Sequence, residues 1–339
     1  MINKGLLLAG WLICWMGMAP ALGAQTEDYR PLDSIIAHDP VMMEEDGTYY
    51  LFITGRGVGV KSSRDLKNWK NEAPVFSDSL AWTRGVVPDF RHHFWAPDIA
   101  FHDGTYYLYY SVSSFAKNTS AIGVATTPVL DPADPRHAWT DHGIVVQSVP
   151  NRDLWNAIDP NLIFDEAGVA WLAFGSFWEG LKMVRLSDDL LSVAEPQEWH
   201  TLARVERSFD LADANPGDGA IEAPFLFKRG DYYYLFASYD YCCRGENSTY
   251  KVRVGRSETL AGPYLDRDGK SMFEGGGSLV VEGNANWAGA GHNSIYTVDG
   301  TDYLFYHAYD LNDGGKPKLR ISEVSWRDGW PVADPEALN

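Results

Sequence analysis

The sequence predicts an all-β protein folded as a five-bladed β-propeller. Two observations lead to this class. Short runs rich in aromatic and β-branched residues alternate with turns of Gly, Asp and Asn, as in strand-rich proteins. One repeat unit also recurs five times along the chain. Long helical periodicity is absent from the sequence, which argues against a parallel sheet with crossover helices.

The repeat unit begins with a short opening that ends in Pro in four of its five instances. The five openings are 57, 63, 64 and 70 residues apart, at Pro40, Pro97, Pro160, Pro224 and Ser294. Each opening leads through an apolar strand to a turn glycine, and an aromatic residue three positions later begins a second strand, as at Gly47 and Tyr50. One such unit cannot bury both of its faces, whereas five arranged radially can. A two-domain β-sandwich is the competing interpretation, but it accounts poorly for the fivefold recurrence.

The N-terminal segment, residues 1–24, is predicted to be a signal peptide. Lys4 precedes an apolar run from Gly5 to Met18, and small residues follow at Ala21 and Gly23. A membrane anchor is the alternative, but the run is shorter than the ~20 apolar residues that a span needs. Residues 25–339 are then expected to form a single propeller domain. We expect a secreted or periplasmic monomer that is not attached to a membrane after cleavage.

Charge and cysteine content exclude several classes of protein. The chain has 28 Lys and Arg against 46 Asp and Glu, a net charge of −18, which is the wrong sign for a nucleic-acid binder. This charge is compatible with a neutral polysaccharide ligand. Of the 3 cysteines, Cys14 lies in the predicted signal peptide, and Cys242 and Cys243 are adjacent. The adjacent pair forms either a vicinal disulfide or two thiols, and neither a disulfide framework nor a zinc-binding spacing is present.

Four polar residues stand at the openings of the repeat units, namely Asp39, Asp159, Glu222 and His292. Because the innermost strand of each blade lines the central channel, these side chains are expected to converge. Asp before Pro is also a common turn starter, but the matched positions in separate units favour a shared site. Glycoside hydrolysis uses two carboxyl groups, and a third can raise the pKa of a neighbour. Glu222 is offset by one residue from the Asp positions, so it should point differently.

Three segments make a resemblance specific. Ala37–Pro40, Trp155–Asn161 and Ala220–Phe225 resemble the three signature sites of glycoside hydrolase family 43, and the resemblance extends from about Asp33 to Val332. The resemblance implies that Asp39 is the general base, that Asp159 tunes the pKa of the acid and orients it, and that Glu222 is the general acid of an inverting enzyme. The segments Glu222–Pro224, Trp95–Asp98 and Gly291–Ser294 are closer to the arabinanase branch, which implies endo-cleavage of α-1,5-linked arabinan in pectin side chains.

The same resemblance implies a central cation, commonly calcium, beside His292. Since calcium prefers oxygen ligands, we expect a water-rich site that supports the acids electrostatically. His307, a weaker candidate, is expected to pack within its blade. Sugar contacts are expected from the side chains of Trp95, Phe115, Asn156 and Trp178.

Other functions remain open at this point. One is an exo-acting arabinofuranosidase or xylosidase of the same family. Others are a non-catalytic carbohydrate-binding propeller, which would not need three acids at matched openings, and a lyase or transferase on the same fold. The sequence does not decide between endo- and exo-cleavage.

Overall fold

The computed structural model describes Met1 and residues 28–334. The predicted signal peptide lies almost wholly outside these residues and stays a prediction. Within the described part, α1 (Thr83–Val86) is the one α-helix, and 3-10 turns occur at Leu32–Ser34, Gly245–Asn247 and Met272–Glu274. No helix among the described residues is both long enough and apolar enough to cross a bilayer.

Twenty-two strands in the described part of the chain form five separate antiparallel sheets. The first segment of the chain contains β1 (Arg30–Pro31), β2 (Val41–Glu45), β3 (Thr48–Ile53), β4 (Gly55–Arg56), β5 (Gly59–Ser63) and β6 (Asn68–Asn71). All of these except β4 make the first sheet, in the order β1-β6-β5-β3-β2. The second sheet adds β4 to β7 (His93–His102), β8 (Thr105–Val112), β9 (Ser120–Thr127) and β10 (Thr140–Ser148).

The remaining three sheets have four strands each, in simple sequence order. The third comprises β11 (Asn161–Phe164), β12 (Ala170–Phe174), β13 (Leu181–Arg185) and β14 (Trp199–Ala203). The fourth comprises β15 (Ile221–Arg229), β16 (Tyr232–Tyr239), β17 (Lys251–Ser257) and β18 (Ser278–Val281). The fifth comprises β19 (Trp287–Val298), β20 (Thr301–Asp310), β21 (Lys316–Arg327) and β22 (Trp330–Asp334).

Hairpins join the first two strands of each predicted repeat. At Asp46-Gly47 and Asp103-Gly104 both turn residues have positive φ, at 48° and 73° and at 46° and 77°. Positive φ at both positions is what a two-residue hairpin turn of the Asp-Gly type requires. The turn glycines of the repeat therefore fix the register of the strands that follow.

Apolar side chains from each strand alternate between the two neighbouring sheets. In β8, Leu108 and Tyr110 belong to the cluster shared with the first sheet, whereas Tyr109 belongs to the cluster shared with the third. This alternation follows from the two-residue period of a strand. Five such clusters occur, one at each junction between consecutive sheets. Each sheet is thus a blade, and no blade buries its two faces alone.

The ring closes between the last blade and the N-terminal segment. The N–H of Leu319 in β21 donates to Ile35 O at 2.9 Å, and the N–H of Ala37 donates to Pro317 O at 3.3 Å. The cluster around Phe305 then joins the fifth blade to Leu51 in the first. A cavity of about 240 Å³ is bordered by residues from all five inner strands. The prediction of an all-β, five-bladed propeller is confirmed.

Candidate active site

Five residues with positive φ stand at the openings of the five repeat units. They are the non-glycine residues Asp39 (54°), Ala96 (43°), Asp159 (60°), Ala223 (54°) and His292 (50°). A non-glycine residue in this region is uncommon and often marks a functional position. Asp39 and Asp159 stand two residues before β2 and β11, whereas Ala96, Ala223 and His292 lie within register shifts inside β7, β15 and β19. All five occupy the same repeat position and lie at one end of the channel. We call this end the opening face.

Side chains from one blade hold the opening of the next. In four of the five blades, the backbone N–H of the positive-φ residue donates to a side chain at the end of the preceding blade's second strand. The acceptors are Thr54 Oγ1 for Ala96 (2.7 Å), Ser111 Oγ for Asp159 (3.1 Å), Ser238 Oγ for His292 (2.8 Å) and His307 Nδ1 for Asp39 (3.2 Å).

The junction between the third and fourth blades departs from this pattern. Here the matching residue of the second strand is Gly175, which pairs with Ile158 and has no side chain to accept a hydrogen bond. The N–H of Ala223 instead donates to Asp159 Oδ2 at 3.1 Å. Asp159 therefore fixes the backbone directly beside Glu222. This contact gives a structural basis for the orienting role that the sequence predicts for Asp159.

Asp39 lies in a buried ring of polar groups and is 7% exposed. Its Oδ1 is 2.7 Å from His38 Nδ1 and 3.1 Å from His292 Nδ1, and Thr54 Oγ1 donates to its Oδ2 at 2.5 Å. Burial alone would raise the pKa of Asp39. The charges and hydrogen bonds of His292 and His38 outweigh burial and hold this pKa well below its usual range. Asp39 is therefore a carboxylate near neutral pH.

His307 lies in β20, inside its blade as the sequence predicts, and takes part in the same cluster. It is fully buried, and its ring stacks on His38 with the centroids 3.8 Å apart. Burial, followed by the proximity of His38, lowers the pKa of His307 well below its usual range. A neutral imidazole agrees with Nδ1 accepting the hydrogen bond from Asp39 N–H. His307 therefore packs within its blade, as expected, and also holds the backbone of Asp39.

Glu222 comes one residue before the positive-φ position, as the sequence offset predicts. Both of its carboxylate oxygens accept hydroxyl hydrogen bonds. Tyr250 Oη donates to Oε1 at 2.6 Å, and Ser176 Oγ donates to Oε2 at 2.7 Å. Glu222 is partly exposed, whereas Asp39 and Asp159 are buried. The side chain that is predicted to protonate a substrate is thus the most accessible of the three acids.

The four residues form one electrostatic unit. Burial raises the pKa of Asp159 well above its usual range, and repulsion from Glu222 and Asp39 adds to this effect while His292 opposes it. Burial would lower the pKa of His292, but Asp39, Asp159 and Glu222 raise it to about 9. The imidazole is therefore positively charged near neutral pH. The three carboxylates and the histidine predicted from the sequence are brought together in the structure.

The predicted sugar contacts have different environments. Trp95 is half-buried at the start of β7, at the repeat position that corresponds to Glu222 in β15. Phe115 is 75% exposed in the loop after β8, which ends at the opening face. Asn156 is buried, and its Oδ1 has no hydrogen-bond partner among the described residues. The positions of Trp95 and Phe115 are compatible with a contact to sugar, whereas Asn156 is as buried as a core residue. The roles of all three stay predictions.

Trp178, in contrast, is buried in the protein interior. It is 2% exposed, and its indole N–H donates to Asp213 O at 2.8 Å. The segment that contains Asp213 is also held by buried Arg207, which donates to Ala212 O and Asn215 O at 2.6 and 2.8 Å. Trp178 therefore anchors the loop that precedes β15. The expectation that Trp178 is a sugar platform is corrected, because stacking needs an exposed ring face.

Sequence reasoning missed the groups that hold the acids, namely His38, Thr54, Ser176 and Tyr250. A signal existed for one of them. Thr54 follows its turn glycine Gly47 by the same seven residues that separate Ser111 from Gly104. A polar residue recurring at that position would have indicated a shared role. Tyr250 and Ser176 come from loops outside the repeat frame, and nothing local distinguishes them.

Cys242 and Cys243 form a vicinal disulfide, which decides between the two possibilities left open by the sequence. It lies at the opening face after β16. The N–H of Cys243 donates to Tyr309 Oη at 2.7 Å, and Cys243 Sγ is 3.8 Å from His38 Nε2. The disulfide therefore lies beside His38, whose imidazole contacts Asp39.

The inner strands of this propeller present three carboxylates and a charged imidazole at one end of the channel. These are the features of a hydrolase that works by proton transfer. The chain belongs to glycoside hydrolase family 43: the family model described as glycosyl hydrolases family 43 matches residues 29–331. The family resemblance inferred from the three motifs is thus confirmed.

The chain is similar over most of its length to characterised relatives. It is 53% identical over 303 residues to the extracellular exo-alpha-(1->5)-L-arabinofuranosidase of Cellvibrio japonicus, covering 89% of this chain and 87% of that protein. It is 43% identical over 300 residues to extracellular endo-alpha-(1->5)-L-arabinanase 1 of Bacillus subtilis, covering 87% of each. Its fold matches the alpha-L-arabinanase of Cellvibrio cellulosa complexed with arabinohexaose, with a TM-score of 0.88, 52% identity, and coverage of 90% and 96%.

Proposed function

We propose that this protein is a secreted glycoside hydrolase that cleaves the α-1,5-L-arabinofuranosidic linkages of arabinan with inversion of configuration. The observation that carries the proposal is the cluster of Asp39, Asp159, Glu222 and His292 at the opening face. Family membership supplies the reaction class. The names of the two relatives supply the linkage, and both of those relatives are named extracellular.

Asp39 is the general base in this proposal. The positive charge of His292 keeps Asp39 ionised, so that it can take a proton from the water that attacks the anomeric carbon. An inverting enzyme needs room for this water, and its two carboxyl groups are typically about 6.5–9.5 Å apart. Asp39 and Glu222 belong to the first and fourth blades, which are not adjacent in a ring of five, and this arrangement favours the wide separation.

Glu222 is the general acid, and it protonates the oxygen of the departing sugar. Asp159 acts on Glu222 in two ways. Its Oδ2 accepts the N–H of Ala223 and so fixes the backbone beside the acid. The negative charge of Asp159 also repels the negative charges of the other two acids, which favours retention of one proton within the cluster. No covalent bond to the enzyme is formed in this mechanism.

We propose a calcium ion at the centre of this site, beside His292. The residues fit such an ion, because three carboxylates surround one imidazole and together favour positive charge at this position. A bound ion would take the place of the proton that otherwise gives His292 its charge: Nδ1–H would still donate to Asp39, and the opposite ring nitrogen would be free for the ion. Water would supply most of the oxygen ligands that calcium prefers. When bound, the cation would supply electrostatic support to the carboxylates.

Trp95 and Phe115 are proposed to stack against the sugar rings, and Asn156 to hydrogen-bond to a hydroxyl. The exposed ring of Phe115 and the half-buried ring of Trp95 lie at the same face as the acids. Aromatic faces are suited to the apolar face of a sugar ring, because they bury area without losing a hydrogen bond.

Endo-cleavage is the prediction from the sequence, and we retain it as the first candidate. Exo-cleavage is the second, and a specific observation favours it: the relative with 53% identity is named an exo-enzyme, whereas the relative with 43% identity is named an endo-enzyme. Product sizes over time on linear arabinan distinguish the two. An endo-enzyme releases a mixture of oligomers early, whereas an exo-enzyme releases one short product throughout.

The substrate is tested by comparing linear arabinan with xylan at equal concentrations. We expect arabinose oligomers to be released from arabinan, with little release of reducing ends from xylan. Faster release of xylose oligomers would contradict the substrate assignment. Failure to release reducing ends from any polysaccharide would instead favour a non-catalytic carbohydrate-binding propeller.

A further inference from the structure

Two hydroxyl groups hold the carboxyl group of Glu222. Tyr250 Oη and Ser176 Oγ donate to its two oxygens at 2.6 and 2.7 Å. A hydroxyl is also an acceptor, so either one can turn to accept a hydrogen bond when the carboxyl group is protonated. The arrangement with two donors matches the carboxylate, which is the form that Glu222 has after it has protonated a leaving group.

The fold fixes Tyr250 in this position. Its side chain is 1% exposed, and its N–H donates to Tyr241 O at 3.2 Å. The ring lies against the backbone of Gly291, where an added Cβ would approach Tyr250 Cδ1 to 2.2 Å. Gly291 occupies the repeat position that holds His38, Trp95 and Glu222 in other blades. The missing side chain at this one opening is what leaves room for the tyrosine ring.

Ser176 is fixed independently. It is 4% exposed and forms a backbone bridge with Glu222 itself. Burial, followed by the charges of Glu222 and Asp159, raises the pKa of Tyr250 well above its usual range. Tyr250 therefore keeps its proton at any working pH and interacts with Glu222 as a neutral hydroxyl.

We propose that Tyr250 and Ser176 are positioning residues that make Glu222 an effective proton donor, by giving its carboxylate two hydrogen bonds as the proton leaves. This inference rests on the proposed function. The O–H bond of Glu222 breaks, and its proton forms the O–H bond of the departing alcohol. The glycosidic C–O bond breaks with its electron pair going to that oxygen. Water forms the new C–O bond at the anomeric carbon and gives its proton to Asp39. As the carboxylate of Glu222 forms, both hydroxyls donate to it.

The proposal predicts a pattern of losses that depends on the leaving group. Hydrogen bonds to a charged group are stronger than those to a neutral one, so the two hydroxyls favour the carboxylate over the acid. Tyr250→Phe should lower kcat/KM on linear arabinan by about 10- to 100-fold. A nitrophenyl arabinofuranoside needs little protonation of its leaving group, and its hydrolysis should change by less than about 3-fold. The alkaline limb of the kcat/KM profile on arabinan should move to higher pH.

The experiment compares Tyr250→Phe, Ser176→Ala and a matched control, Tyr264→Phe, on both substrates. Tyr264 is equally buried, and its hydroxyl donates to Leu260 O at 2.6 Å in the cluster between the third and fourth blades, away from the acids. The control measures what the loss of a buried tyrosine hydroxyl does through stability alone. Thermal melting of each variant confirms that it is folded, and Ser176→Ala carries the test if Tyr250→Phe does not fold.

Two results would overturn the proposal. One is wild-type activity on arabinan in both variants. The other is an equal loss on both substrates with an unchanged pH profile, which is the signature of a general structural defect. Glu222→Gln separates this inference from the proposed function. If Glu222→Gln is inactive on arabinan while Tyr250→Phe behaves as wild type, only the inference fails; if Glu222→Gln is fully active, the assignment of the acid fails as well.

Discussion

Asp98 links the inner strands of the second and third blades, and its burial makes the stability of the protein depend on pH. It is 4% exposed, its Oδ2 accepts the N–H of Leu162 at 2.7 Å, and its Oδ1 lies 3.4 Å from the amide nitrogen of Asn161. Burial raises the pKa of Asp98 to about 7, although these hydrogen bonds oppose the shift. The folded protein therefore retains a proton on Asp98 that the unfolded chain loses near pH 4.

The sign of the effect follows from linkage. A carboxyl group whose pKa is raised on folding contributes stability that is fully present below its unfolded pKa and is lost as pH rises through its folded pKa. With a folded value of about 7, Asp98 should reduce the free energy of unfolding by about 2–3 kcal/mol between pH 5 and pH 8. Asp98→Asn removes this dependence, because asparagine resembles the protonated acid in shape and in having one acceptor and one donor.

The assay is urea unfolding of wild type and Asp98→Asn at several pH values and constant ionic strength. We expect similar stabilities at pH 5 and a relative gain for the variant at pH 8. The other titrating groups are common to both proteins, so the difference between the two curves isolates Asp98. A difference that is constant from pH 5 to pH 8, or that grows in favour of wild type, would refute the reasoning.

Three further predictions concern the site. Asp39→Ala and Glu222→Ala should each reduce turnover on arabinan by about 10²–10⁴-fold. On a nitrophenyl arabinofuranoside, only Glu222→Ala should retain part of the wild-type turnover. Equal losses of turnover on both substrates in Glu222→Ala would argue against its role as the acid. Phe115→Ala should raise KM on arabinan without lowering Tm, because the ring is 75% exposed; an unchanged KM would remove Phe115 from the binding site. Chelator should lower Tm or activity of wild type and calcium should restore it, whereas His292→Ala should respond less; full activity and an unchanged Tm in chelator would exclude the cation.

The blade count could be predicted because its signal is repeated. The five turn glycines and the aromatic residues that follow them mark a hairpin in each unit, and the period of two within a strand distributes apolar side chains to both neighbours. Side chains at the five openings then had to converge, since each stands at or near the start of an inner strand. The cluster of Asp39, Asp159, Glu222 and His292 therefore followed from topology.

The supporting residues could not be predicted in the same way. Tyr250 reaches Glu222 because a different blade carries glycine at position 291, and this is a contact between distant parts of the chain. The same is true of Trp178, whose indole N–H donates to Asp213 O, 35 residues further along the chain. Aromatic residues serve equally well as anchors and as sugar platforms, so composition alone could not separate Trp178 from Phe115.

The stereochemistry of the first product tests the central claim most directly. NMR spectra recorded during the first minutes of hydrolysis of an α-linked arabinofuranoside show which anomer forms before mutarotation. Asp39 acting as a base on water predicts that the β-anomer appears first, with no covalent enzyme intermediate. First appearance of the α-anomer, or trapping of a sugar on Asp39, would contradict the roles assigned to the carboxylates.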